Sequence, residues 1–430
     1  MKMKEDSRFK IQNPKPKTHN PQPTHHSSLI TPHSSPVTNY SFEMEDKLKI
    51  APWLNYLCYV LIAVGIITFI FGYIYHPEQT WANYLLNNVY FLALAIGASF
   101  FMALQYITQS GWSAGFKRVP EAMASYIPVA AILVLLMFPG IHTIYHWAHP
   151  EEVEADLLLQ HKSAYLNIPF FMIRLVVYFA CWTLMTQFLR KLSLKEDLEG
   201  GLTFFHKSEF YSRIYIFILA VTFSLACFDL LMSVDPHWFS TIFAFKNFAA
   251  AFYHGAAIVL LIVVVLNKLG HFSFFNRNHL QDMSSYVFML SIIYGYLWFA
   301  QFMLIWYGNI PEETIYYAVR WEGQWQFFFW ADIAINWFIP FVILMPKKPA
   351  RRLKVVIPVV ILLIIGQWID LYLQIFPGVT GTNNFSLIEI GAFLGFAGLF
   401  TLVVTRSLAA ASLVPRNHPY LGECMDHHIA

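Results

Sequence analysis

Apolar residues run along this chain in long unbroken stretches, neither alternating at every second position nor confined to one stripe of a helix. Ten stretches are long and apolar enough to cross a bilayer as helices, a task that needs about 20 residues. They fall at 53–75, 84–108, 124–147, 166–190, 210–234, 242–266, 286–308, 325–345, 355–376 and 386–408. Their continuity excludes the dyad alternation of a membrane β-barrel. The pattern predicts an all-α polytopic membrane domain of about ten transmembrane helices over residues 51–415. Residues 1–50, with NPKPKTHNPQPTHHSSLITPHSSP, bury too little apolar area to fold alone and read as a disordered cytoplasmic tail. They lack the early apolar core of a secretory signal. Met44 offers an alternative start, and His25, His26 and His33 read as solvated tail residues. Residues 416–430 read as a short cytoplasmic C-terminal tail.

Composition sharpens this picture. The 430 residues are 57% hydrophobic and 13% charged, about half the charge of an ordinary soluble domain. A soluble globule is excluded unless most of its surface faces lipid. With 28 basic against 26 acidic residues there is no field to gather nucleic-acid phosphates. Cys58, Cys181, Cys227 and Cys424 form neither CxxC nor CxxCH, which argues against a covalently held haem, an iron–sulfur cluster or a disulfide framework. HExxH, P-loop and dinucleotide fingerprints are absent from the sequence.

Basic residues set the orientation. Of the 28, Lys162 and Arg320 fall on one side and Arg174, Arg213 and Lys246 fall within spans. Every other one lies in the N-terminal tail, the even-numbered connections or the C-terminal flank. Both termini are therefore expected in the cytoplasm, with the protein multi-pass in a bacterial inner membrane.

Ionisable groups inside a bilayer are costly and mark a functional path or site by default. At about 1.5 Å per residue, they gather in the outer half. Asp229 lies late in the fifth helix and Lys246 early in the sixth, at a depth where the two would pair across the hairpin. His254 is two turns deeper, near the midplane. Arg174, Asp332 and Asp370 lie in the outer halves of the fourth, eighth and ninth helices, and Glu389 near the outer end of the tenth. His142 and His146 stand in i,i+4 register at the outer end of the third. The inner half reads as nearly empty, with Arg213 and Arg406 snorkelling at its edge. Each group also has a structural reading: an ion pair, a cross-bundle hydrogen bond, a headgroup contact.

No two histidines share a depth on facing helices as a b-type haem would need. The aromatic residues at 298–307 and 325–330 read as an interfacial belt, or as the wall of a flat quinone pocket. A protonatable cluster open to the outer side suits quinol oxidation, in which a His or Asp accepts the hydroxyl proton. It equally suits a proton or ion exit path.

The stretch FDLLMSVDPHWFSTIFAF at 228–245, with NIPEETIYYAVRWEGQW at 309–325 and FPGVTGTNNFS at 376–386, resembles the NrfD-type (polysulfide-reductase-like) membrane subunits of bacterial alternative complex III, the second of the two in particular. The resemblance covers about residues 50–415. It implies two four-helix bundles related by a pseudo-twofold, here helices two to five and six to nine, plus flanking helices. It also implies a subunit of a menaquinol:electron-acceptor oxidoreductase that is not catalytic alone and holds no covalent cofactor. Menaquinone or menaquinol is the implied ligand. Haem and iron–sulfur clusters would sit in partners: a multihaem c-type cytochrome, an iron–sulfur/molybdopterin-like subunit, the first NrfD-type subunit and a terminal oxidase. By position, His142, Asp229, Asp235 and His254 would carry the protonic role. Two other classes stay open. One is a secondary transporter for protons or a small solute, with Pro169, Pro340 and Pro358 as candidate helix breaks. The other is a structural anchor that holds partners through loops 148–165 and 309–324.

Overall fold

The computed structural model describes residues 47–427, so the tail expected at 1–50 lies almost wholly outside the described residues, as do His25, His26, His33 and Met44. The described residues are mostly helical, without a strand, and ten helices are long and apolar enough to span a membrane. These are α1 (Pro52–Tyr75), α2 (Pro77–Ile107), α3 (Arg118–Leu135), α4 (Ile168–Glu199), α5 (Thr203–Val234), α6 (Ile242–Lys268), α7 (Arg277–Gly308), α8 (Gly323–Leu344), α9 (Leu353–Val379) and α10 (Leu387–Ala409). The end where α1 begins and α10 finishes carries most of the lysine and arginine and is called the basic end; the other is the far end.

Local chemistry sets the helix limits. Pro52 and Pro77 open α1 and α2 in the first turn, where a missing N–H costs nothing. Asn167 caps α4, and full capping boxes start α7 at Asn276 and α10 at Ser386. α4, α5 and α7 run 32 residues each, about 48 Å. They therefore project beyond a hydrocarbon core of about 30 Å.

The helices pack as two four-membered groups. In the first, α2, α3, α4 and α5 touch in sequence and α5 returns to α2; in the second, α6 to α9 do the same. α2 and α6 lie side by side at the centre, most of each buried. α2 also touches α9, and α6 touches α5, so exchanging the two groups maps these contacts onto each other. The central crossing is close because Gly97 and Gly255 meet there: a Cβ on Gly97 would lie 1.9 Å from the Ala251 carbonyl oxygen. Small residues at crossings are how membrane helices gain packing contact. α1 and α10 form a flanking pair joined at Gly65 and Gly395. Only 11% of the apolar window of α1 is buried, which leaves Trp53, Tyr56, Ile67 and Ile74 facing outward.

Three elements depart from the hydropathy reading. The third helix, expected at 124–147, occupies Arg118–Leu135 and is followed by short turns at Phe138–Gly140, Ile141–Ile144 and His146–Ala148. Pro139 and Gly140 break the run, and Tyr145 is extended. His142 and His146 are therefore not stacked on one helix. Pro169 sits in the first turn of α4 and Pro358 within an unbroken α9. Pro340 instead follows a π-turn at Ala334–Phe338 in α8, which absorbs the amide that proline lacks. The C-terminal segment packs on the basic end through a short helix, Leu421–Met425, with Cys424 buried against the α2–α3 connection.

Candidate functional site: two buried ionic centres and a hydrogen-bonded chain

The first centre joins α4 and α5. Asp229 is fully buried near the end of α5. Arg174 donates to it from Nε (2.9 Å to Oδ2) and Nη2 (2.8 Å to Oδ1), and Tyr178 adds its hydroxyl at 3.1 Å. A third guanidinium nitrogen, Nη1, donates to the Tyr165 carbonyl at 2.9 Å, and the Tyr165 ring stacks 3.8 Å from the guanidinium. The carboxylate accepts three hydrogen bonds, and cation and anion cancel. The expected pairing of Asp229 with Lys246 is thus corrected: α4, not α6, supplies the cation.

Lys246 turns instead into the second bundle, where it ion-pairs with Asp370 of α9. Its ammonium lies 5.7 Å from the Tyr294 ring centroid. The Tyr294 hydroxyl donates to Asp332 of α8, at 3.3 and 3.4 Å from the two oxygens. Asp332 also accepts from Asn336 Nδ2 at 2.6 Å. The Asn336 Oδ1 lies 3.0 Å from His254 Nε2, and His254 Nδ1 lies 2.7 Å from the Ala250 carbonyl oxygen. All six side chains are buried. The π-turn carries Asn336 and sets it one helical turn from Asp332, facing α6.

Donor and acceptor accounting fixes what this chain can do. The Ala250 carbonyl can only accept, so Nδ1 carries a hydrogen. In one arrangement Nε2 also carries one, the imidazolium donates to Asn336 Oδ1, and the Asn336 amine donates to ionised Asp332. In the other the amide is turned over: its amine donates to neutral Nε2 and its oxygen accepts from protonated Asp332. Both satisfy every group, and they differ in where one proton sits. Each leaves Lys246, Asp370, Asp332 and His254 neutral in sum, the condition under which buried charges avoid the full penalty of a low-dielectric surrounding.

Water has room beside this chain. A cavity of about 30 Å³ between the bundles is lined by Asp370, Gln367 and Asn247 on one side and by Cys227 and Leu230 on the other, enough for one or two water molecules. Asp370 Oδ2 and Gln367 Oε1 are buried without a partner among the described residues, the kind of atom that holds internal water. One turn further on, both amide atoms of buried Gln374 are also unpartnered. Above it, Arg320 donates to the Leu373 carbonyl at 2.7 Å and to half-exposed Asp235 at 2.8 Å. Polar groups thus run from His254 to Asp235 at the far end.

Three predicted residues stand apart. His142 and His146 are exposed at the far end; the His142 carbonyl accepts from His149 Nε2 at 2.6 Å, and His146 lies 3.3 Å from Glu152. Glu389 does not face headgroups. It is buried as the capping-box residue of α10, accepting from the Ser386 amide at 2.6 Å, Gln79 at 2.6 Å and Asn83 at 2.9 Å. Its donor Asn83, with Thr80 and Tyr84, lines an apolar crevice of about 220 Å³ among α1, α2, α3 and α10.

Sequence reading missed a third group. The basic end is not empty: Lys117 pairs with Glu196 at 2.9 Å, and Arg118 with Glu121 at 2.6 Å and with Asp197, all buried or nearly so. These residues looked like loop charges because α3 starts before, and α4 ends after, its apolar run. Two cations thus serve three carboxylates, with Arg118 bridging Glu121 and Asp197. His418 of the C-terminal segment covers them, and burial, with the Lys117 and Arg118 cations, pushes its imidazole down to about 2. Burial likewise pushes the Cys424 thiol up to about 12. Asn336 was also missed, since an amide inside a span carries no charge signal. One signal was legible: FDLLMSVDP at 228–236 and IDLYLQIFP at 369–377 align without a gap, placing Asp229 on Asp370 and Pro236 on Pro377.

No protein-family model matches the chain, and no curated protein is significantly similar to it.

Proposed function

We propose that this chain is a proton-conducting membrane subunit of a menaquinol:electron-acceptor oxidoreductase, the second NrfD-type subunit of an alternative complex III. The observation that carries the protonic part is the His254–Asn336–Asp332 chain, whose hydrogen bonds close equally well with one proton on the imidazole or on the carboxyl. A proton that can sit at either end of a bridge, next to water-sized space and a polar run to the surface, is what a relay requires. Support for the complex comes from the motifs at 228–245, 309–325 and 376–386 together with the paired four-helix groups. In this reading the basic end is cytoplasmic, as the lysine and arginine bias favours, and protons leave past Asp370, Gln374 and Asp235 into the periplasm. Electrons pass through haem and iron–sulfur partners, and this subunit does no chemistry alone. The cavity at Asp370 suits water rather than a quinone ring, so menaquinol would meet this chain in the crevice lined by Thr80, Asn83 and Tyr84.

The test is proton release per electron in proteoliposomes holding the complex purified by a tag on this chain. Asp332→Asn and Asn336→Leu are expected to keep quinol oxidation within about twofold and to lose most of the coupled release, since each removes one link of a relay. Unchanged stoichiometry in both overturns the relay. Haem and iron–sulfur subunits are expected to copurify. A solitary chain would favour the second reading, a proton-coupled transporter, which the π-turn beside the ionic centre also fits.

A further inference from the structure

At the basic end, a cavity of about 710 Å³ opens between the α6–α7 connection and the α8–α9 connection. Arg277, Lys348, Arg351, Arg352 and Lys354 line it, with Asn267 and Asn276 as neutral polar groups and Phe275, Leu280 and Leu353 as its apolar lining. No carboxylate lies among these residues. Arg351 is held by Gln281. The side chains of Arg277, Lys348, Arg352 and Lys354 make no hydrogen bond or ion pair among the described residues. Elsewhere in the molecule buried cations are matched: Lys117 by Glu196, Arg118 by Glu121, Arg174 by Asp229 and Lys246 by Asp370. Five cations around one cavity, with no carboxylate among its lining residues, form a site for an anion.

Its position says which anion. The cavity lies where α8 leaves the apolar layer: Val342 and Met345 are exposed apolar residues one to two turns before Lys348, and α9 begins at Leu353. A ligand there meets apolar surface on one side and arginine and lysine on the other. We propose that this cavity binds the phosphodiester headgroup of an anionic phospholipid from the leaflet at the basic end, with its acyl chains along α8. Arginine matches phosphate oxygens through paired N–H groups while lysine contributes point charge, and basic pockets between spans at this depth are where such headgroups bind. The site is independent of the proton-relay reading.

The experiment uses the full chain purified in detergent and stripped of lipid by exchange, with bound lipid counted by native mass spectrometry during titration. Phosphatidylglycerol, phosphatidylcholine and inorganic phosphate are the probes. The wild type is expected to bind phosphatidylglycerol in preference to phosphatidylcholine. Lys348→Gln/Arg352→Gln/Lys354→Gln is expected to weaken it about a hundredfold, given three interfacial cations removed. Lys348→Arg/Lys354→Arg, which keeps the charge, is expected to bind as the wild type does, and so is Lys268→Gln, outside the cavity. Equal binding of the two lipids by the wild type, or full retention by the triple variant, overturns the site. Displacement of the lipid by inorganic phosphate at equal concentration also overturns it, and assigns a free-phosphate site instead.

Discussion

Asp229 has no exposed surface, and a carboxylate so placed persists only with a cation attached to it. Removing one partner of a buried pair costs about 3–5 kcal/mol, whereas replacing both by apolar groups is often neutral. Arg174→Leu and Asp229→Leu are each expected to lower thermal stability in detergent sharply, and the double variant to recover most of it. Additive losses would show that the pair is not a closed unit. The presence of these charges was legible in the sequence; their pairing was not. Which of Arg174 and Lys246 faces Asp229 depends on the rotation of α4 and α6 about their axes, and apolar runs that bury several faces leave that rotation undefined. His418 gives a pH dependence with a definite sign. Its folded value near 2 lies below the ordinary imidazole value of about 6.5, so the docked C-terminal segment binds fewer protons than the free one. Docking is therefore fully stable above about pH 6.5 and loses up to about 1.4 kcal/mol per pH unit as the pH falls below it. The hydrogen-exchange protection factor at 418–427, taken relative to the intrinsic rate at each pH, is expected to fall on acidification in the wild type and to fall less in His418→Gln.

At the scale of elements, the spans were legible because ten apolar runs of bilayer length admit one architecture, while the break after α3 was hidden inside a run that stays apolar. Pro139 and Gly140 end the helix there, and the turns that follow expose His142 and His146, so a histidine spacing meaningful on a helix carries nothing. The crossing of α2 and α6 makes the opposite point, since it rests on two small residues that hydropathy ignores. A side chain at Gly97 must displace the backbone of α6. Gly97→Leu is expected to abolish accumulation of folded protein. Gly65→Leu, at the flanking α1–α10 crossing, is expected to leave both four-helix groups folded, read as protease-resistant fragments. Equal outcomes for the two would contradict the central role of α2 and α6.

Over the whole molecule, the two groups of helices repeat a plan and differ in its charge. Asp229 and Asp370 occupy matched places in matched motifs, and Asn88 precedes Gly97 by the same offset as Lys246 precedes Gly255. In the first group Arg174 closes the account: one cation, one anion, no proton to spare. In the second, Lys246 faces Asp370, and Asp332 is linked to His254 through Asn336. The ionisable groups of the far half were readable from sequence, whereas the buried cluster at the basic end, and the difference between a closed pair and an open chain, needed the contacts. That difference is best tested by infrared spectroscopy of the purified chain, following the stretch of a protonated buried carboxyl. The wild type is expected to show such a band, lost in Asp332→Asn and strengthened in His254→Asn, where the proton has no second site. A band insensitive to both substitutions, or none in either protein, would contradict a proton shared between His254 and Asp332.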